Sequence, residues 1–296
     1  MKILLFGKNG QVGWELQRSL AVLGELVAVG REDAGLCGDL ANLEGLAATV
    51  RQVQPQLIVN AAAYTAVDKA ESEPELAALV NAQAPGLLAQ AAHAAGAWLV
   101  HYSTDYVFDG SGERPWREAD ATAPLNVYGR TKLEGERLVA AHCPAHLILR
   151  TSWVHSPRGG NFARTMLRLA AERDSLSVVV DQFGAPTGAD LLADVTAHAI
   201  KAAMAQPQKA GTYHAAAAGE TSWHGYARFV VEQAREAGRP LKVHPDNIDA
   251  VPSSAFPSAA RRPHNSRLDT GKLRSTFGLV LPHWTGGVAR MLAPTP

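Results

Sequence analysis

Apolar positions follow two rhythms along the first half of this chain. Short apolar runs, KILLF (2–6), ELVAVG (25–30), QLIVNAAA (56–63), WLVHYST (98–104) and HLILR (146–150), predict buried strands. Between them, apolar residues recur at helical spacing. Val12, Leu16, Leu20 and Leu23 share one face of a helix over 11–24. A second helix covers 42–53 and is ended by Pro55. A long helix over 74–96 should be irregular near Pro85 and Gly86, and another starts near Asn126. Strands alternating with crossover helices specify an α/β fold with a parallel sheet covered on both faces. Continuous apolar strands fit that double burial.

After residue 150 the rhythm changes. Helices are expected over 161–173 and 189–204, a short strand over 177–180, and a strand returning to the sheet over 211–216. From 239 to 268 the chain reads as proline-studded loop, followed by short helices near 270–277 and 283–292. The expected organisation is one domain of residues 1–150 plus about 187–216, with a smaller lobe of about 151–186 and 217–296.

Composition narrows the partners. Lysine plus arginine equals aspartate plus glutamate, 28 each in 296 residues, so no electrostatic case exists for nucleic acid or an anionic membrane. The first apolar run is too short for a secretory leader, and no run of about eighteen apolar residues occurs. Cys37 and Cys143 form no CxxC pair and no disulfide framework. The expected compartment is the cytoplasm.

Three places carry candidate chemistry. The first strand runs into Gly7, Gly10 and Gly13 and then directly into a helix. Such glycines let the backbone turn tightly and a pyrophosphate approach, while the helix N-terminus offers unpaired N–H groups. The second strand ends at Gly30-Arg31 where an acidic residue would favour NAD; an arginine suits the 2′-phosphate of NADP instead. Tyr128 and Lys132 stand four apart on one helical face, a spacing too common by itself to separate a reaction centre from a solvated surface. Thr104 closes the fourth strand, at the edge where an open parallel sheet presents its ligand crevice. No HExxH or GxSxG motif is present, and Pro144 separates His142 from His146.

GxxGxxG at 7–13, NAAA at 60–63, STDYVFDG at 103–110, YGRTK at 128–132 and RRPHNSRLD at 261–269 occur in that order. This set resembles the extended short-chain dehydrogenase/reductases, and within them the branch that reduces a dTDP-linked keto sugar. The likeness covers nearly the whole chain. It implies a Rossmann-type doubly wound parallel sheet that binds NADPH or NADH, with a smaller C-terminal substrate-binding lobe. The implied reaction is reduction of the 4-keto group of dTDP-6-deoxy-L-lyxo-4-hexulose to dTDP-L-rhamnose. Tyr128 would be the acid, its phenol lowered from a pKa of about 10 by the Lys132 ammonium, with Thr104 on the same carbonyl oxygen.

The resemblance further implies cofactor contacts from Gly10, Gln11 and Val12, from Asp39 and Leu40 at the adenine, from Ala62, Ala63, Tyr64 and Thr65 at the nicotinamide half, and from Tyr102. Asp105 and Trp153 would meet the sugar nucleotide, and Arg261, Arg262 and His264 its diphosphate. Some relatives form homodimers around a divalent cation such as Mg2+; Glu15 and Asp190 are the carboxylates available here, short of a full ligand set. Two rivals stay open: another nucleotide-sugar reductase or epimerase, and a non-catalytic regulatory homologue of the kind that accompanies methionine adenosyltransferase.

Overall fold

Each apolar run of the first half forms a parallel strand in the computed structural model, which describes residues 1–293. The elements there are β1 (Lys2–Phe6), α1 (Gln11–Ala21), β2 (Glu25–Val29), α2 (Leu43–Val53), β3 (Leu57–Asn60), α3 (Val67–Ala70), α4 (Pro74–Ala78), α5 (Ala84–Ala94), β4 (Trp98–Thr104), α6 (Val127–His142) and β5 (His146–Thr151). The second half adds β6 (Val154–His155), α7 (Phe162–Glu172), β7 (Leu176–Val179), β8 (Phe183–Gly184), β9 (Thr187–Gly188), α8 (Ala189–Ala205) and β10 (Gly211–His214). It continues with β11 (Thr221–Ser222), α9 (Trp223–Glu236), β12 (Ile248–Val251), α10 (Gly271–Phe277) and α11 (Trp284–Leu292).

Six strands make one parallel sheet in the order β10-β5-β4-β3-β1-β2. Alternate strand residues face opposite sides, which decides how the sheet is covered. Ile3, Leu5, Leu57 and Val59 pack with Leu16 and Leu20 of α1 and Leu192 and Val195 of α8. Leu4, Phe6 and Ile58 pack with Leu46 and Val50 of α2 and Leu88 and Ala92 of α5. The chain reverses direction across the sheet between β1 and β3, the kind of switch point at which open parallel sheets bind ligands beyond their carboxyl ends. A separate core of Met166, Val178, Tyr226, Val230, Ile248, Trp284 and Val288 holds the C-terminal elements together. Leu273, Phe277 and Leu281 instead return to the core of the main sheet.

The irregularity expected near Pro85 is a π-helical turn over Leu79–Gln83, joining α4 to α5. Proline has no N–H to bond the carbonyl one turn back, and the wider turn absorbs that loss. Between the strand expected over 211–216 and the loop expected from 239, a stretch with no predicted element, the chain forms α9, whose Tyr226, Ala227, Val230, Val231 and Ala234 form a buried stripe. Ser222 caps it by accepting from Gly225 N. A short strand, β12, also pairs with β7 inside the proline-studded region.

Candidate active site

Gly7 leaves β1 with φ +88°, and a Cβ there would stand 2.7 Å from Ala62 N. The turn therefore presses against the chain leaving β3, at the point where the strand order reverses. A Cβ on Gly13 would stand 2.0 Å from the Gly7 carbonyl oxygen, so the first turn of α1 also demands a bare backbone. Gly10 precedes α1 without a side-chain cap, and no acidic residue sits in the helix's first turn. The N–H groups of Gln11, Val12 and Gly13 thus end the helix as a positive, uncapped pole, which suits a diphosphate. Beside it, Asp39 accepts from Ala41 N (3.1 Å), and Leu40 is buried in the core beneath β1 and β3.

Thr104, the last residue of β4, stands by Tyr128, and Lys132 one turn along α6 reaches the same strand at Tyr102. Asn126 caps α6 by accepting from Gly129 N (2.8 Å), which sets the start of the helix and so the direction of both reactive side chains. The Tyr128 ring packs among Val127, Tyr64, Ala70 and Ala77, and edge-on to Tyr106 (5.5 Å, 90°). Thr104 bonds Asp105 Oδ1 (3.1 Å) and accepts from Tyr106 N (3.1 Å). Burial pushes the Tyr128 phenol up to about 12, against a smaller pull from the Thr104 hydroxyl. The expected lowering by Lys132 does not occur, for a geometric reason: the buried ammonium donates to the Tyr102 carbonyl (2.6 Å) and faces His101 Nε2 (3.3 Å). Burial drives Lys132 itself down to about 8. Asp105 is raised to about 6, also by burial, with Ser266 and Thr104 hydrogen bonds opposing.

A cavity of about 750 Å³ opens on the other side of Tyr106, lined among others by Phe162, Gln182, Trp223, Arg261, Arg262 and His264. Tyr106 lines the cavity and also packs against Tyr128. Arg262 is held by Asp68 through two hydrogen bonds (2.6 and 3.1 Å). Trp153 stacks on Trp223 (3.6 Å, 14°) with φ +48°, a left-handed conformation rare for a bulky residue. A Cβ on Gly184 would collide with the Trp153 ring, so this strained indole is clamped from both sides.

A family model described as RmlD substrate binding domain matches residues 1–295. The chain belongs to this family. It is 60% identical to the dTDP-4-dehydrorhamnose reductase of Escherichia coli K12 over 99% of this chain and 97% of that one. It is 50% identical to the Burkholderia thailandensis protein of the same name, over 96% and 95% of the two chains. Among solved structures, the dTDP-4-dehydrorhamnose reductase of Clostridium acetobutylicum superposes with a TM-score of 0.90 at 35% identity, covering 99% and 98%. That of Bacillus anthracis, in complex with NADP, superposes at 0.89 with 34% identity, covering 98% of both.

The other predicted residues of this RmlD-family site have partners or exposure of their own. Arg31 is exposed and lies 3.7 Å from Asp39. The Tyr102 hydroxyl points to Thr196 (2.6 Å) on α8, leaving its carbonyl for Lys132. The Tyr64 hydroxyl donates to Glu73 (2.7 Å), and Thr65 is exposed. Nothing among the described residues supports the Mg2+ suggestion: Glu15 faces Arg18 (3.7 Å) and Asp190 pairs with Arg290. Among the described residues no group of three or more His, Cys, Asp or Glu could hold a metal ion. No helix there is long and apolar enough to cross a membrane.

Asn81, His101, Tyr106 and Asp68 escaped the sequence. Asn81, on the π turn, grips Tyr64 N (2.9 Å) and O (3.0 Å) and donates to Thr131 (3.2 Å) on α6. His101, held neutral by burial, bridges Lys132 to Asn60 (3.2 Å). The only sign in the sequence was a polar residue inside an apolar run, as in WLVHYST.

Proposed function

We infer that this chain reduces the 4-keto group of dTDP-6-deoxy-L-lyxo-4-hexulose to dTDP-L-rhamnose, the last step of dTDP-rhamnose synthesis. The observation that carries this is Tyr128 beside Thr104 at the end of β4, with Lys132 one turn along α6 and with Tyr106 linking Tyr128 to a cavity lined by an indole and two arginines. Full-length kinship with reductases of this name supports the substrate, and the NADP complex of the Bacillus anthracis relative supports the cofactor. We take NADPH or NADH as the reductant; when bound, it supplies the hydride.

The chain's own residues handle everything else. The glycine turn and the open pole of α1 hold the diphosphate. Arg261, Arg262 and His264 take the substrate diphosphate, and the Trp223–Trp153 stack forms a flat wall for the sugar nucleotide. Thr104 hydrogen-bonds the ketone oxygen and aims it at Tyr128. The raised phenol stays loaded at neutral pH, and charge arriving on the ketone oxygen makes that atom basic enough to take its proton. Lys132 holds its ammonium against the Tyr102 carbonyl, one turn along α6, where it can donate to a hydroxyl of the nicotinamide ribose and fix the cofactor. The sheet with residues 187–216 serves as the dinucleotide unit, the remainder as the substrate lobe. A homodimer in the cytoplasm completes the proposal, and sedimentation of the purified chain tests the dimer.

The direct test is consumption of NADPH in the presence of the keto sugar nucleotide. Net consumption separates a reductase from an epimerase. Tyr128→Phe should fold normally and lose about 10²- to 10⁴-fold in kcat; an unchanged kcat would remove Tyr128 as the acid.

A further inference from the structure

Where the second strand ends, a carboxylate stands that its position in the sequence conceals. Asp33, three residues beyond Gly30, folds back so that its Oδ2 accepts from Gly30 N (3.0 Å) and from the Lys8 ammonium (2.5 Å). Lys8 comes from the glycine turn itself, so this ion pair joins the end of β2 to the pyrophosphate cradle. Gly30 makes the convergence possible. A Cβ there would stand 2.7 Å from Asn9 Nδ2 and 3.5 Å from both Asp33 Oδ1 and Lys8 Cε. Both partners of the pair remain partly open to solvent, at 29% and 27% side-chain exposure, so a ligand can reach either.

We propose that Asp33 and Lys8 together decide between NADH and NADPH. The proposal rests on the reading of the glycine turn as a dinucleotide site. A carboxylate at the end of the second strand accepts from the hydroxyls of an adenosine ribose and repels a 2′-phosphate. An ammonium there does the opposite. Here the two occupy one spot and neutralise each other. Asp33 therefore acts twice: it offers an acceptor to NADH, and it holds Lys8 away from the phosphate of NADPH. Arg31, farther out beside Asp39, faces a carboxylate of its own. The intact pair should accept both cofactors with a modest preference, and removing either half should swing that preference in opposite directions.

Calorimetric titration of NADH and NADPH into the wild-type chain, Asp33→Asn and Lys8→Met tests this without turnover. Asp33→Asn should raise the affinity for NADPH relative to NADH by at least about tenfold, within what a like charge at contact distance costs near a surface. That gain should shrink as salt is added. Lys8→Met should move the ratio the other way by about tenfold. General damage would weaken both cofactors together, so opposite swings exclude it. A ratio within about twofold of wild type in both variants, each folded by circular dichroism, would overturn the role of the pair. Wild-type protein that binds neither cofactor would instead overturn the dinucleotide reading beneath it.

Discussion

Two buried groups at the reaction centre have ionisation ranges that bracket neutrality. Lys132 is pushed down to about 8 and Asp105 up to about 6, both by burial. Below about 6 Asp105 gains a proton and can no longer accept from Thr104 as a carboxylate. Above about 8 Lys132 loses the charge with which it grips the Tyr102 carbonyl and would hold the cofactor ribose. The value of kcat/KM, which reports the free enzyme, should therefore form a bell with limbs near 6 and 8. Asp105→Asn should remove the acid limb, and a profile with that limb intact would show that another group causes it. At this scale the sequence was informative where chemistry is local. Glycines at fixed spacing and a Tyr–Lys pair one turn apart can be read along the chain. Asp33 was not legible, because its importance comes from folding back onto Lys8, twenty-five residues earlier. Nor was the direction of Lys132, which depends on a carbonyl thirty residues away.

Elements were legible wherever one face had to be buried. The strand runs emerged with boundaries shifted by only a few residues, because double burial leaves little choice of register. Helix α9 carried the same kind of apolar stripe and was nonetheless overlooked, between the strand expected over 211–216 and the loop expected from 239. The break between α4 and α5 could be placed only roughly, since Pro85 says that a bond is lost but not which turn absorbs the loss. That turn is held by close packing. A Cβ on Gly135 of α6 would stand 2.1 Å from the Asn81 carbonyl oxygen. Gly135→Ala should therefore push α6 from the π turn and cost about 1–3 kcal/mol in chemical denaturation. It should also weaken cofactor binding, because Asn81 anchors the Tyr64 loop; equal stability and affinity would show that the contact is dispensable. A buried pair fixes the other side of α6: Glu136 meets Arg150 of β5 at 2.8 and 2.6 Å. Glu136→Ala should cost about 3–5 kcal/mol, because the Arg150 charge would be left buried and unpaired. Replacing both residues by methionine should recover most of that loss, and no recovery would place the cost elsewhere.

Across the whole molecule, the C-terminal cavity and helix α6 share one loop. Arg261 and Arg262 line the cavity, and the Arg261 carbonyl accepts from Asn126 Nδ2 (2.8 Å), the side chain that caps α6. Asp68 ties the same loop down through Ala260 N (3.1 Å) and Arg262. A nucleotide diphosphate that engages the arginines therefore acts on the residue that fixes the first turn of the helix carrying Tyr128. At about 100 times its Kd, such a ligand should stabilise the fold by about 2.7 kcal/mol. Hydrogen exchange should slow in two places at once, the loop over 260–264 and the first turn of α6. Asn126→Ala separates them. It removes a cap worth about 1 kcal/mol and the bond to Arg261 while leaving the arginines in place. The variant should keep ligand-induced protection of the loop, lose it in α6, and fall further in kcat than it rises in KM. Protection of α6 that survives the substitution would mean that the lobe and the reaction centre are coupled through the Tyr106–Tyr128 contact instead.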